Sequence, residues 1–161
     1  MLKYDHLLGR PFKHGSKDCY GLIRDFYLDN FGIPLRNYAR PDDHWDNGLN
    51  LYMELFHAEG FRPLDCLPMF WRPGDALLMA IRSSVANHAA VIVEDGLILH
   101  HLYGGLSRAE PYRGFFRDTT VAVLRHKDVT YEPEEKTLDL LESLPDALRR
   151  KLADFLPDRG E

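Results

Sequence analysis

Residues 17–26 read KDCYGLIRDF. An aspartate and a cysteine, with a glycine two places on, head a run whose apolar positions are Cys19, Leu22, Ile23, Phe26, Tyr27 and Phe31. That spacing is helical. Asp18 is a good N-cap and Gly32 a good stop, so the pattern predicts a helix over 18–31 that opens on Cys19. The macrodipole and the free N–H groups of a first helical turn favour a thiolate and can hold a developing oxyanion. Gly21 lowers helix stability by about 1 kcal/mol relative to alanine and lets another backbone or a substrate come close. The same residues also fit a buried structural cysteine, the commoner fate of a lone thiol.

Outward from this helix, residues 33–47 are polar and contain proline, so they read as a loop. Residues 48–60 carry Leu51, Leu55 and Ala58 at helical spacing and end on Gly60, which predicts a second helix. The period then changes. RPGD at 72–75 is a turn. Three β-like runs follow, at 76–82, 88–94 and 97–103, the last two separated by Asp95-Gly96, a hairpin signal. A fourth runs over 119–126. Helices first and an antiparallel meander afterwards define an α+β order.

The chain has 161 residues, 45% of them apolar, which suits one folded domain with a real core. Residues 1–131 carry 15 basic and 16 acidic side chains, and residues 132–161 carry 5 and 9. The sequence therefore divides into a nearly neutral domain, 1–131, and an acidic tail, 132–161. In the tail Leu138, Leu141, Leu144, Leu148, Leu152 and Phe155 form one amphipathic helical stripe, with Pro145 opening a second piece. It packs on its own domain or docks on a partner through residues 134–157. No basic patch suggests nucleic acid, no apolar run is long enough for a membrane span, and MLKYDHLLGRPF has no signal-peptide core. Synthesis in a cytoplasm is expected. Cys19 and Cys66 are both expected as thiols, Cys66 as a core or loop residue without a role. Trp45 and Trp71 can line a groove or simply pack.

A nucleophilic cysteine needs an imidazole. His88 opens the run HAAVIVE, and His100 and His101 lie in LILHHLY. Ideal pairing about Asp95-Gly96 sets Glu94 against Leu97, His88 against Tyr103 and His100 against Val91. His88 and His100 are then offset by three positions unless a bulge intervenes. Only one of His100 and His101 can face His88, because strand neighbours point to opposite faces; periodicity does not choose between them. Without CxxC or HExxH, no metal is expected, and no cofactor.

The order DCYG, WRPGD, NHAAVIVEDGLILHH resembles the NlpC-type papain-like cysteine peptidases of cell-wall metabolism, over about residues 5–127. The resemblance implies a papain-like core with the nucleophile-bearing helix packed on an antiparallel sheet. It also implies a catalytic set of Cys19, His88 and, at the family's spacing, His100. LLGRPFKHGSKDCYGLIRDFY looks like the branch found in tail-assembly peptidases of lambda-like long-tailed phages. Some of those carry a metalloprotease-like domain first; no such domain is expected in this sequence, whose resemblance starts at about residue 5. The resemblance implies cleavage of peptidoglycan stem peptides, a place in the virion tail beside other tail-tip or hub proteins, and action at the bacterial wall or periplasm. The alternative is a structural tail-tip or plug protein with a vestigial or masked site. Where many relatives have tyrosine in P-Y-x-x-G, this chain has Phe12. The oxyanion or substrate candidates are therefore Phe12, Tyr20 and Asp18, with Lys13 or a backbone N–H as substitutes.

Overall fold

The computed structural model describes residues 2–41, 48–94 and 96–130. The expected tail helix over 134–157, Trp45 and Asp95 lie outside them.

Helix α1 spans Cys19–Phe31. Asp18 caps it through Oδ1, which accepts the Gly21 N–H at 2.8 Å. Gly32 ends it at φ 66°, in the left-handed region, donating its N–H to the Leu28 and Tyr27 carbonyls. The buried face holds Cys19, Tyr20, Leu22, Ile23, Phe26 and Tyr27. Gly21 is required by a close backbone approach: an added Cβ would lie 2.1 Å from the Ser16 carbonyl oxygen. Helix α2 spans Leu51–Ala58, shorter at both ends than its apolar pattern suggested.

Six strands make one antiparallel sheet: β1 Phe61–Pro63, β2 Ala76–Met79, β3 His88–Glu94, β4 Leu97–His100, β5 Arg108–Pro111 and β6 Thr120–His126. Their order is β1-β6-β2-β3-β4-β5. A short helix, α3, Phe115–Thr119, precedes β6. One sheet face, with Ala76, Leu78, Ala89, Val91, Leu99 and Leu124, joins the core built by α1 and α2. The other, with Leu77, Met79, Ala90, Ile92 and Ile98, is covered by Leu64, Trp71, Ile81, Tyr112 and Phe116. Burial of both faces explains why ALLM and HAAVIVE are continuous apolar runs rather than alternating ones. Trp71 is a packing residue, 5.9 Å from the Tyr112 ring.

The RPGD turn is tied down from three sides. The Asp75 carboxylate accepts the Arg72 N–H at 2.8 Å and pairs with the Arg125 guanidinium of β6 through two 2.7 Å contacts. Tyr27 of α1 donates its hydroxyl to the Gly74 carbonyl. Gly74 lies at φ 96°, and an added Cβ would meet the Phe31 ring at 2.8 Å. The turn thereby fixes the C-terminal end of α1 against the start of β2.

The β3–β4 register differs from the ideal one. Glu94 pairs with Leu97 as expected, but Ile92 pairs with Ile98, Val91 with Leu99 and Ala90 with His100. The shift falls between Ile92 and Glu94, where β3 carries one extra residue. His100 therefore stands opposite Ala90 rather than Val91. That shortens its offset from His88 to two positions and puts both histidines on one face, since side chains repeat every second residue.

Candidate active site

Three elements converge on the cysteine. It opens α1 and is 5% exposed. Its sulfur lies 3.0 Å from the Tyr52 hydroxyl of α2, and the Ala89 N–H of β3 favours its thiolate form. Ala89 directly follows His88, so the helix terminus abuts the beginning of the histidine-bearing strand. His88 and His100 are both buried. Their rings meet edge to face, centroids 5.6 Å apart at 86°. Phe116 presses on His100 from the other side at 4.7 Å. The Glu110 carboxylate of β5 lies 3.6 Å from His100 Nε2, an electrostatic rather than a hydrogen-bonding distance.

His101 points elsewhere. Its Nε2 lies 3.2 Å from the Gly105 carbonyl oxygen, and its ring contacts Phe12 at 5.2 Å. The bulge and the face alternation together bring His100, and not His101, against the His88 ring.

Burial pushes the Cys19 thiol up to about 11, helped by the negative charge of Asp18; the Tyr52 hydroxyl, the Ala89 N–H and Arg40 pull the other way. Burial pulls His88 down to about 3, with the neighbouring His100 and His101 adding to it. Burial likewise lowers His100, opposed by the Glu110 charge. At neutral pH the resting site holds a neutral thiol and a neutral His88 imidazole. No hydrogen bond joins Cys19 to His88 in this state.

Next to Cys19 in the chain lies a buried ion pair. Asp18 Oδ2 receives Arg40 Nη2 at 2.8 Å and Nε at 3.1 Å, and also the Gly15 N–H at 2.8 Å. The Arg40 guanidinium in turn covers the Tyr20 ring at 4.9 Å. Asp18 is thus fully engaged as cap and counter-ion. Tyr20 is 0% exposed and donates its hydroxyl to the Arg36 carbonyl at 3.0 Å. Neither fits the expectation of a group facing substrate: helix spacing puts Tyr20 on the inward side of α1, where aromatic packing claims it. Phe12 is half-buried against His101 and Tyr103. Cys66 is an exposed thiol in a loop.

The cysteine opens a helix, and that helix packs on the strand that begins at His88. Residues 9–125 match the NlpC/P60 family. The chain belongs to the NlpC/P60 family. Solved NlpC/P60 structures share the fold. A lipoprotein-like NLP/P60 family protein of Staphylococcus aureus superposes with a TM-score of 0.52 at 18% identity, covering 78% of this chain and 39% of that one. An NlpC/P60 family protein of Bacillus cereus gives 0.52 at 16%, covering 76% and 37%. Among curated sequences, the tail tip assembly protein K of Escherichia phage lambda is 43% identical over 124 residues, 76% of this chain and 60% of that protein. The protein of the same name from Escherichia phage N15 is 37% identical over 125 residues, 76% of this chain and 50% of that protein. The chain thus spans half to three-fifths of the length of these relatives.

Arg40 and Tyr52 fall outside every motif of the sequence. Both are brought to the NlpC/P60 helix terminus by tertiary folding from a loop and a second helix, and no spacing in the sequence links them to Cys19. Glu110 arrives on β5, a four-residue edge strand without β-like alternation. A pocket of about 250 Å³ opens beside His100, lined also by Tyr103, Leu106, Arg108 and Glu110. Among the described residues no helix is long and apolar enough to cross a membrane.

Proposed function

We propose that this chain is a cysteine peptidase of phage tails that cleaves peptidoglycan stem peptides, around a D-glutamyl bond, during infection or tail assembly. The observation that carries the reading is a helix that opens on Cys19 and packs against the strand that begins at His88, whose ring meets that of His100. The likeness to the two phage tail tip assembly proteins supports the virion tail as the setting. The acidic tail, through residues 134–157, is the part proposed to dock on other tail-tip or hub proteins.

The chemistry follows from the resting protonation. Because the thiol begins neutral, its proton passes to His88 as the sulfur attacks the peptide carbonyl, once substrate has drawn the pair together. The Cys19 backbone N–H, in the first turn of α1, holds the oxyanion. His88 then returns the proton to the leaving amine. Water, deprotonated by the same imidazole, clears the acyl-enzyme. His100 orients His88. An amine in place of that water would give acyl transfer instead.

A second reading has its own support. A thiol that is 5% exposed and hydrogen-bonded to Tyr52 also suits a structural tail component whose site is masked. Dye-labelled peptidoglycan separates the two. The peptidase reading expects soluble dye from the native chain and a loss of about a thousandfold or more with His88→Gln, the scale seen when a general base is removed from such a set. No release from the native chain supports the masked structural reading.

A further inference from the structure

Tyr52 reaches the nucleophile from outside the motifs. It lies 33 residues after Cys19, on the first turn of α2, and its hydroxyl stands 3.0 Å from the sulfur. The side chain is 4% exposed. It lies nearly parallel to Phe56, one helical turn on, with ring centroids 6.4 Å apart at 24°. The phenol is therefore held where it is. Phe12, at the position where many relatives carry tyrosine, has no hydroxyl and packs on His101 and Tyr103.

Four groups address the Cys19 sulfur. Asp18 acts from the same helix end, Arg40 from the loop after α1, Tyr52 from α2, and the Ala89 N–H from β3. Asp18 carries the wrong charge to help a thiolate, and Arg40 is committed to its Oδ2 through Nε and Nη2. Tyr52 is the neutral side-chain donor of the set. In the resting state either the thiol or the phenol can donate. Once the thiol proton has passed to His88, only the phenol O–H can, and the bond becomes charge-assisted and stronger.

We infer that Tyr52 is a further catalytic residue, whose hydroxyl donates to the Cys19 sulfur as it becomes a thiolate. The proton lost by Cys19 goes to the His88 imidazole, and Tyr52 keeps its own throughout. This rests on Cys19 being the nucleophile. The competing role, a plug that shields the sulfur, predicts the opposite sign.

The test is alkylation of Cys19 in the full chain, with Cys66→Ala removing the other thiol. Two neutral reagents of different size are used, iodoacetamide and N-ethylmaleimide. Iodoacetamide forms an S–C bond and expels iodide, so its rate follows the thiolate fraction. Tyr52→Phe keeps the ring and removes the donor. At pH 8 both rates are expected to fall by about tenfold to a hundredfold, the worth of one hydrogen bond to a charged group, with the circular dichroism spectrum unchanged. Rates that stay the same, or rise, overturn the inference; a rise assigns Tyr52 to shielding. Should Tyr52→Phe lose the native spectrum, Tyr52→Met is compared on the same basis. Alkylation does not require peptide cleavage. Slower alkylation with no release of dye from peptidoglycan would fault the proposed substrate and leave the role of Tyr52 standing.

Discussion

Arg40→Met is expected to lower the stability of the fold by about 3–5 kcal/mol, the usual result of removing one partner from a buried ion pair. In a domain of this size that corresponds to a fall of about 10 °C or more in the thermal midpoint. Arg40 and Asp18 have side chains 1% and 3% exposed. Removing the guanidinium leaves a buried carboxylate without its counter-ion. The damage falls at the N-terminus of α1, because the same carboxylate caps α1 and holds the Gly15 N–H. Adding Asp18→Asn to Arg40→Met should restore part of the loss, since asparagine also caps and carries no charge. Thermal unfolding followed by circular dichroism measures both variants. A change below about 1 kcal/mol for Arg40→Met would mean that Asp18 finds another partner, and the proposed foundation of the site would be wrong.

The second large effect is acid lability. His88, His100 and His101 are all lowered in the folded chain, His88 to about 3. Below about pH 6.5 the unfolded chain takes a proton at each of these histidines, and the folded chain resists doing so. The unfolded state then binds more protons, so stability rises with pH across this range and is lost on acidification. His88 alone contributes a slope approaching about 1.4 kcal/mol per pH unit between about pH 6 and 3.5. Denaturant unfolding at pH 7.5, 6 and 5 should show a steep decline for the native chain and a shallower one for His88→Gln. Equal slopes would mean that His88 is solvated in the folded protein.

Some features were legible from the residues and others were not, for physical reasons. The α1 helix, its caps and the need for a small residue at position 21 are local properties, and the sequence reading anticipated them. The central strands β2, β3, β4 and β6 were anticipated too, because long apolar runs are needed where a sheet is buried on both faces. Strands β1 and β5 went unseen. They are the two edges of the sheet, short segments reading FRP and RAEP that pair on one side only. The histidine pairing failed by one position because a bulge depends on strand twist and packing, which residue counting does not contain. The resemblance selected His100 over His101, and the bulge supplies the geometric reason. Arg40 and Tyr52 are brought to Cys19 by long-range folding, which a motif cannot signal.

The most direct test of the central claim is mass spectrometry of the fragments released from purified peptidoglycan by the full chain and by Cys19→Ala. New stem-peptide fragments are expected from the native chain, with a single bond type cut, and none from the variant. Identical fragments from both, or none from either, would contradict it.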